Sequence, residues 1–193
     1  MSRRVKGSLF LAYVRMIRSR KDADWTAHLR PVDQVFLRQR IDPGAWYPMD
    51  TFERMGLGIL AVIAGGNLEA VQAWGRFQID DLRAAEPDLI VAGDPMGSLR
   101  RFETVCDDYF DFGPLRFLTI AEGEAALRIE YGMSKAAEEA ASFQTLGFLE
   151  RLVELAGARP CGVRFRTRSC VGDPATVAEL GWEPARSSGP PSG

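Results

Sequence analysis

The sequence predicts one α+β domain in which N-terminal helices pack with a small, mainly antiparallel sheet and one long helix from the C-terminal half. Three observations carry that expectation. Before Phe110, four substantial segments repeat apolar residues at helical spacing. Ala125 to Tyr131 alternates instead, with Leu127, Ile129 and Tyr131 on one side and Ala126, Arg128 and Glu130 on the other, the period of a strand half in water. From Ser134 to Ala156 a helical pattern returns: Leu146, Phe148, Leu149, Leu152, Val153, Leu155 and Ala156 cover one half of the cylinder, and Gln144, Glu150, Arg151 and Glu154 the opposite arc. An apolar face of that length needs a sheet to lie on.

Each element has its own signal. Leu9, Ala12, Tyr13, Met16 and Ile17 make the stripe of a helix over Ser8 to Arg20, with Arg15, Arg18 and Arg20 opposite. Asp24 to Leu29 reads as a brief helix, Pro31 suits the first turn of another ending near Arg40, and Asp42-Pro43-Gly44 is a turn. Trp46-Tyr47-Pro48-Met49 precedes a helix capped by Asp50 and running to Ile63, where Gly65-Gly66 ends it. Asn67 caps a helix through Ala85 whose stripe is Leu68, Val71, Trp74, Phe77 or Gln78, and Leu82; Pro87 breaks it. Leu89-Ile90-Val91 plugs the following loop, and Met96 to Phe110 is the fourth helix. Pro114 opens a strand over Leu115 to Ile120, which Glu122-Gly123-Glu124 turns into the alternating segment as a hairpin. Ser134 caps the long helix, Glu138 and Glu139 sit at its positive dipole end, and Gly157 stops it. Gly162 to Cys170 is a further strand, with Val163, Phe165, Thr167 and Ser169 facing one way and Arg164, Arg166, Arg168 and Cys170 the other. The domain is expected over 1–182, and the Pro, Ser and Gly-rich run Glu183 to Gly193 as a disordered tail.

Composition excludes several activities. A chain of 193 residues with 46% hydrophobic and 26% charged residues is an ordinary globular chain long enough to bury a core. A formal charge of -2 supplies no field to recruit nucleic acid. The apolar stretch after the basic start is broken by Arg15 and Arg18, so no membrane span or secretory leader is expected, and the cytoplasm is the expected compartment. Cys106, Cys161 and Cys170 form no CxxC, which favours reduced buried thiols over a disulfide framework or a zinc site. His28 is the single histidine, so triads, zinc clusters and proximal haem ligation lack their usual donor. No catalytic residue, metal ligand or cofactor-binding residue is assigned.

Other patterns have structural readings. Gly56-Leu57-Gly58-Ile59-Leu60-Ala61 has the spacing of a dinucleotide-binding turn, with Asp80 and Asp81 downstream, but the glycines fall inside a helix, where they allow close packing. Asp107, Asp108 and Asp111 share a helical face near a negative helix end and call for a basic answer from Arg100, Arg101 or the arginine strand. Arg164, Arg166 and Arg168 are expected to pair across strands with Glu122, Glu124 or Glu130 rather than bind an anion. Trp46 and Tyr47 are candidates for a protein contact, with sealing of a loop onto the core as the competing reading. Phe143, alone on the polar arc of the long helix, and Gly147 one turn later suggest either cover for a loop or a homodimer contact.

Helices first, then a hairpin reading Glu122 to Gly132, a long helix and an arginine-bearing strand: this order resembles the closing half of the H-NOX haem domain, an arrangement shared by vinyl-reductase-type ligand domains and TRAPP vesicle-tethering subunits. The whole chain resembles a set of myxobacterial paralogues of unknown function. H-NOX proteins carry Y-x-S-x-R against the haem propionates; Tyr131-Gly132-Met133-Ser134-Lys135 has the tyrosine, but its serine is one place late and lysine stands in place of arginine. The helix Met96 to Phe110, which would bring the proximal histidine, has none. The resemblance therefore implies the fold and a sensory or scaffolding role without haem. Two functions follow as expectations. One is a non-enzymatic signalling or scaffolding module acting on an unidentified protein partner. The other is a haem-free sensor of a small apolar ligand lodged between the long helix and the sheet, with Tyr131, Phe148, Leu152 and Phe165 as pocket candidates.

Overall fold

Two short strands missing from the sequence reading tie the N-terminus down in the computed structural model, which describes residues 3–183. Arg4–Lys6 (β1) pairs antiparallel with Trp46–Pro48 (β2), placing Val5, which is fully buried, opposite Tyr47. At three residues each, neither strand is long enough to show a period. The pairing engages both aromatic residues read as either a partner contact or a seal of loop on core: Tyr47 stacks on Phe10 at 4.6 Å, and the Lys6 ammonium lies 4.8 Å from the Trp46 ring. Trp46 and Tyr47 are half-buried sealing residues here, not a free anchor.

Helix α1 (Gly7–Ser19) buries Phe10, Tyr13, Val14 and Ile17. Its core face is therefore turned from the expected stripe, leaving Leu9 and Met16 at the edge, because α1 meets neighbours on two sides. Pro31–Gln34 (α2) and a 3-10 turn over Val35–Leu37 place Phe36 edge-on against Phe10, and α3 (Met49–Val62) places Phe52 over Tyr13. Pro48, rather than Asp50, occupies the cap position of α3, and Asp50 falls in its first turn. Added Cβ atoms at Gly56 and Gly58 would meet the Tyr13 ring and His28 Cβ, both at 3.2 Å, so the two glycines serve close helix packing. Helix α4 (Leu68–Ala85) is capped as expected, Asn67 accepting from the amides of Glu69 and Ala70. Its buried face is Val71, Gly75 and Ile79, whereas Phe77 is 73% exposed and leaves the stripe to Gln78. Helix α5 (Pro95–Tyr109) starts from an Asp94 cap, and Leu89 plugs the preceding loop.

The second half is a four-stranded antiparallel sheet in the order β3-β4-β6-β5, formed by Leu115–Ala121 (β3), Glu124–Ile129 (β4), Arg159–Thr167 (β5) and Thr176–Glu183 (β6). Strand β6 is central and went unassigned in the sequence, although Thr176, Ala178, Leu180 and Trp182 alternate inward. Two of those four side chains are small or polar, which weakens the apolar signal that marks a strand. Glu183 pairs with Arg159 and so belongs to the sheet; the rest of the expected tail, 184–193, lies outside the described residues. Glu179 on β6 answers Arg164 at 2.9 Å, and Arg168 pairs with Glu139, in place of the hairpin carboxylates expected. Asp111 is answered by Arg4 of β1 at 2.7 Å, not by Arg100 or Arg101. Of the three cysteines only Cys106 is buried; Cys161, on edge strand β5, is exposed.

Helix α6 (Lys135–Leu155) lies across this sheet but is covered on its other side too. Its expected solvent arc faces α4: Gln72 donates to Glu150 at 3.1 Å, and Arg76 reaches Glu150 at 3.3 Å and Glu154 at 2.7 Å. Two glycines set the separation. A Cβ at Gly75 would stand 2.2 Å from the Gln144 carbonyl oxygen, and one at Gly147 2.0 Å from that of Gln72. Gly147 is therefore an internal contact and not half of a dimer surface. Phe143 turns the other way and meets Phe165 edge-on at 5.1 Å, with the Arg168 guanidinium beyond it. It covers strand β5 rather than a loop. Phe143→Ala is expected to lower unfolding free energy by about 2 kcal/mol in urea denaturation, the size of a half-buried ring and one aromatic pair. Among the described residues no helix is long and apolar enough to cross a membrane.

Candidate functional site

The helices do not close completely on α6. A cavity of about 320 Å³ lies between α1, α3, α4, α5 and α6. Its walls are the side chains that flank the core stripes: Leu9, Tyr13 and Met16 from α1, Phe52 and Ile59 from α3, Trp74 and Leu82 from α4, Phe102 and Val105 from α5, and Ala137, Ala140 and Ala141 from α6. The alanines are what make room, since a leucine at any of them would extend into the space. Ala70 is an exposed lining residue and marks a mouth near the start of α4.

The polar groups in the lining are few and mostly occupied. Tyr13 Oη donates to Gln144 Oε1 at 3.2 Å, and the amides of Gln144 and Gln78 bond each other. Tyr131 and Thr145 share a hydroxyl bond of 2.9 Å beneath the floor, and Tyr109 donates to Glu86 at 3.1 Å. Glu53 is the one charged residue in the lining among the described residues; its Oε1 accepts from the Ser134 amide at 2.9 Å. That amide sits at the cap position of α6, where the residue three on, Ala137, has no side-chain acceptor to turn back to it. Glu138, buried, accepts from the amides of Tyr131 and Met133 and pins the loop between sheet and helix. Burial drives the hydroxyls of Tyr13 and Tyr131 far above the ordinary tyrosine range, and burial with the nearby Glu86 pushes Tyr109 up to about 12. Burial, with Asp107 and Glu103 adding to it, likewise keeps the Cys106 thiol protonated.

Two of the four expected pocket residues line this cavity. Tyr131 and Phe148 do; Leu152, with no exposed surface, sits in the core between α6 and the sheet, and Phe165 packs on Phe143 at the outer end of the sheet. The reason is that the sheet contributes only Leu115 to the walls, and the space lies instead where α6 faces the side chains of α1, α3, α4 and α5. The lining residues the sequence reading passed over, Phe52, Trp74 and Phe102 among them, come from separate helices whose approach no local pattern encodes.

The donor set does not fit a haem. His28 is outside the lining and packs against Gly58. The thiol and the three phenols in the walls are held protonated, and among the described residues the walls carry no arginine or lysine to receive propionates. Among the described residues no group of three or more metal-binding side chains converges.

No protein-family model matches the chain, and no curated protein matches it in sequence. Solved structures do match in shape. An H-NOX protein from S. oneidensis in the Fe(II)NO ligation state superposes with a TM-score of 0.63 at 13% identity, covering 92% of this chain and 99% of that one. A mutant H-NOX of T. tengcongensis gives 0.62 at 14% identity over 94% of this chain and all of its own. An Fe(II) unliganded H-NOX from K. algicida gives 0.63 at 9% identity, covering 94% of this chain and 98% of that one. The likeness extends through the N-terminal helices as well as the C-terminal half from which it was first read, and what the chain shares with these proteins is the H-NOX fold.

Proposed function

We propose that the chain is a haem-free, non-enzymatic sensor domain of the cytoplasm, related to the myxobacterial paralogues it resembles, that binds a small apolar ligand in the cavity between α6 and the N-terminal helices. One observation carries the reading: a cavity of about 320 Å³ walled by eight aromatic rings and aliphatic side chains. That is within the size range of ligand sites, about 300–1,000 Å³, and its apolar walls with a few convergent polar groups are the usual lining of such sites. Trp74, Gln78 and Leu82 of α4 and Gln144 and Phe148 of α6 line the cavity, so a bound ligand would touch both helices.

Native mass spectrometry of the purified chain is expected to show a bound small molecule or to register one on adding an apolar probe. Ala70→Trp, at the exposed mouth, and Ala141→Phe, in the wall, are each expected to cut probe affinity at least about tenfold, the cost of losing most of the buried apolar area of a small ligand. Unchanged affinity in both folded variants would sink the reading.

A further inference from the structure

Resting on the cavity reading above, we propose that the site selects an uncharged amphiphile of about a dozen heavy atoms, with its hydrogen-bonding head on the Gln78, Gln144 and Tyr13 cluster, and rejects the matching carboxylate. Size follows from volume. A dry apolar cavity of about 150 Å³ accommodates benzene; the space here, about 320 Å³, is about twice that.

Charge follows from the lining. Among the described residues the walls hold no lysine, arginine or histidine, and their one ionisable carboxylate is Glu53. A fatty carboxylate whose head reaches the amide cluster would give up its water and find no counter-charge. An ammonium fares little better at the amide cluster. Glu53 is tied to the Ser134 amide at the start of α6, while Gln144 lies ten residues along, about 15 Å away at helical rise.

The head group follows from donors left over. Tyr13 Oη donates to Gln144 Oε1, and Gln144 Nε2 donates to Gln78 Oε1. The bonds within the cluster leave the Gln78 N–H groups without a protein acceptor among the described residues, and a neutral oxygen is the ligand atom that accepts from them without bringing a charge. A hydroxyl or carbonyl meets that requirement, and an aliphatic chain fills the aromatic walls.

The test titrates the full chain calorimetrically at pH 7 with 1-decanol, decanoate and decylammonium. Decanol is expected to bind at least about tenfold more tightly than either ion, as the unpaired burial of charge demands. Gln78→Leu should weaken decanol about fivefold, one hydrogen bond, and Glu53→Gln, remote from the cluster, should leave the order of the three probes unchanged. Urea midpoints confirm that both variants fold. Decanoate or decylammonium binding as tightly as decanol overturns the proposed selectivity and leaves the cavity reading standing. Failure of all three probes to bind the unaltered chain overturns the cavity reading itself.

Discussion

Gly147→Ala is expected to destabilise the protein by about 3 kcal/mol, although the same change in an open helix interior stabilises by about 1 kcal/mol. The sign is decided by what the new methyl meets. Its Cβ would stand 2.0 Å from the carbonyl oxygen of Gln72 and 3.0 Å from the amide of Arg76, both backbone atoms of α4 that no rotamer change moves aside. Separating the helices enough to relieve the clash would pull Arg76 from Glu150 and Glu154 and open the contact at Gly75, whose Cβ would stand 2.2 Å from Gln144 O. The two glycines form one interface, so Gly75→Ala combined with Gly147→Ala is expected to cost less than the sum of the single changes. Urea unfolding monitored by circular dichroism measures all three. A Gly147→Ala variant as stable as the parent would show that α4 and α6 do not meet this closely.

The loss at Asp33 is expected to be larger, about 3–5 kcal/mol for Asp33→Ala, because it strands a buried network rather than one contact. Asp33 has no exposed surface. Its carboxylate accepts from Arg54 Nε and Nη2, each at 2.7 Å, from Thr51 Oγ1 at 2.8 Å and from the Arg30 amide at 3.0 Å, so it joins α2 to α3 and closes the first turn of α2. Burial by itself would raise this carboxyl; the bonds from Arg54, Thr51 and Arg30 outweigh it and hold the group below the usual carboxylate range. Since the folded value lies below the unfolded one, about 3.9, the stabilisation is complete above that pH and is lost as pH falls through the folded value. The parent should therefore lose stability on acidification more steeply than Asp33→Asn, which has no proton to take up at this site. Parallel acid limbs in urea midpoints against pH would show that this carboxylate does not carry the effect.

The elements that repeat apolar residues over three or more turns were legible in the chain itself. Asn67 as a cap, Gly157 as a stop and the hairpin across Gly123 follow from local backbone chemistry, and the folded chain keeps them. Strands β1, β2 and β6 were not legible, because three residues carry no period and a central strand built on Thr176 and Ala178 shows little apolar contrast. The site was legible only through Tyr131 and Phe148, residues of the segment read most closely.

Sequence alone determined the α+β class, the order of helices before sheet, the stripe that seats α6 on its strands and the lack of a histidine where a haem would need one. Tertiary structure decided which side of α6 stays open. Periodicity tells how much of a helix must be covered but not by what, so a polar arc that reads as solvent-facing was free to meet α4, where glycines permit close approach and Arg76 and Gln72 answer its carboxylates. Where those helices stop short of one another is fixed by side chains distant in sequence, and that is where the cavity lies.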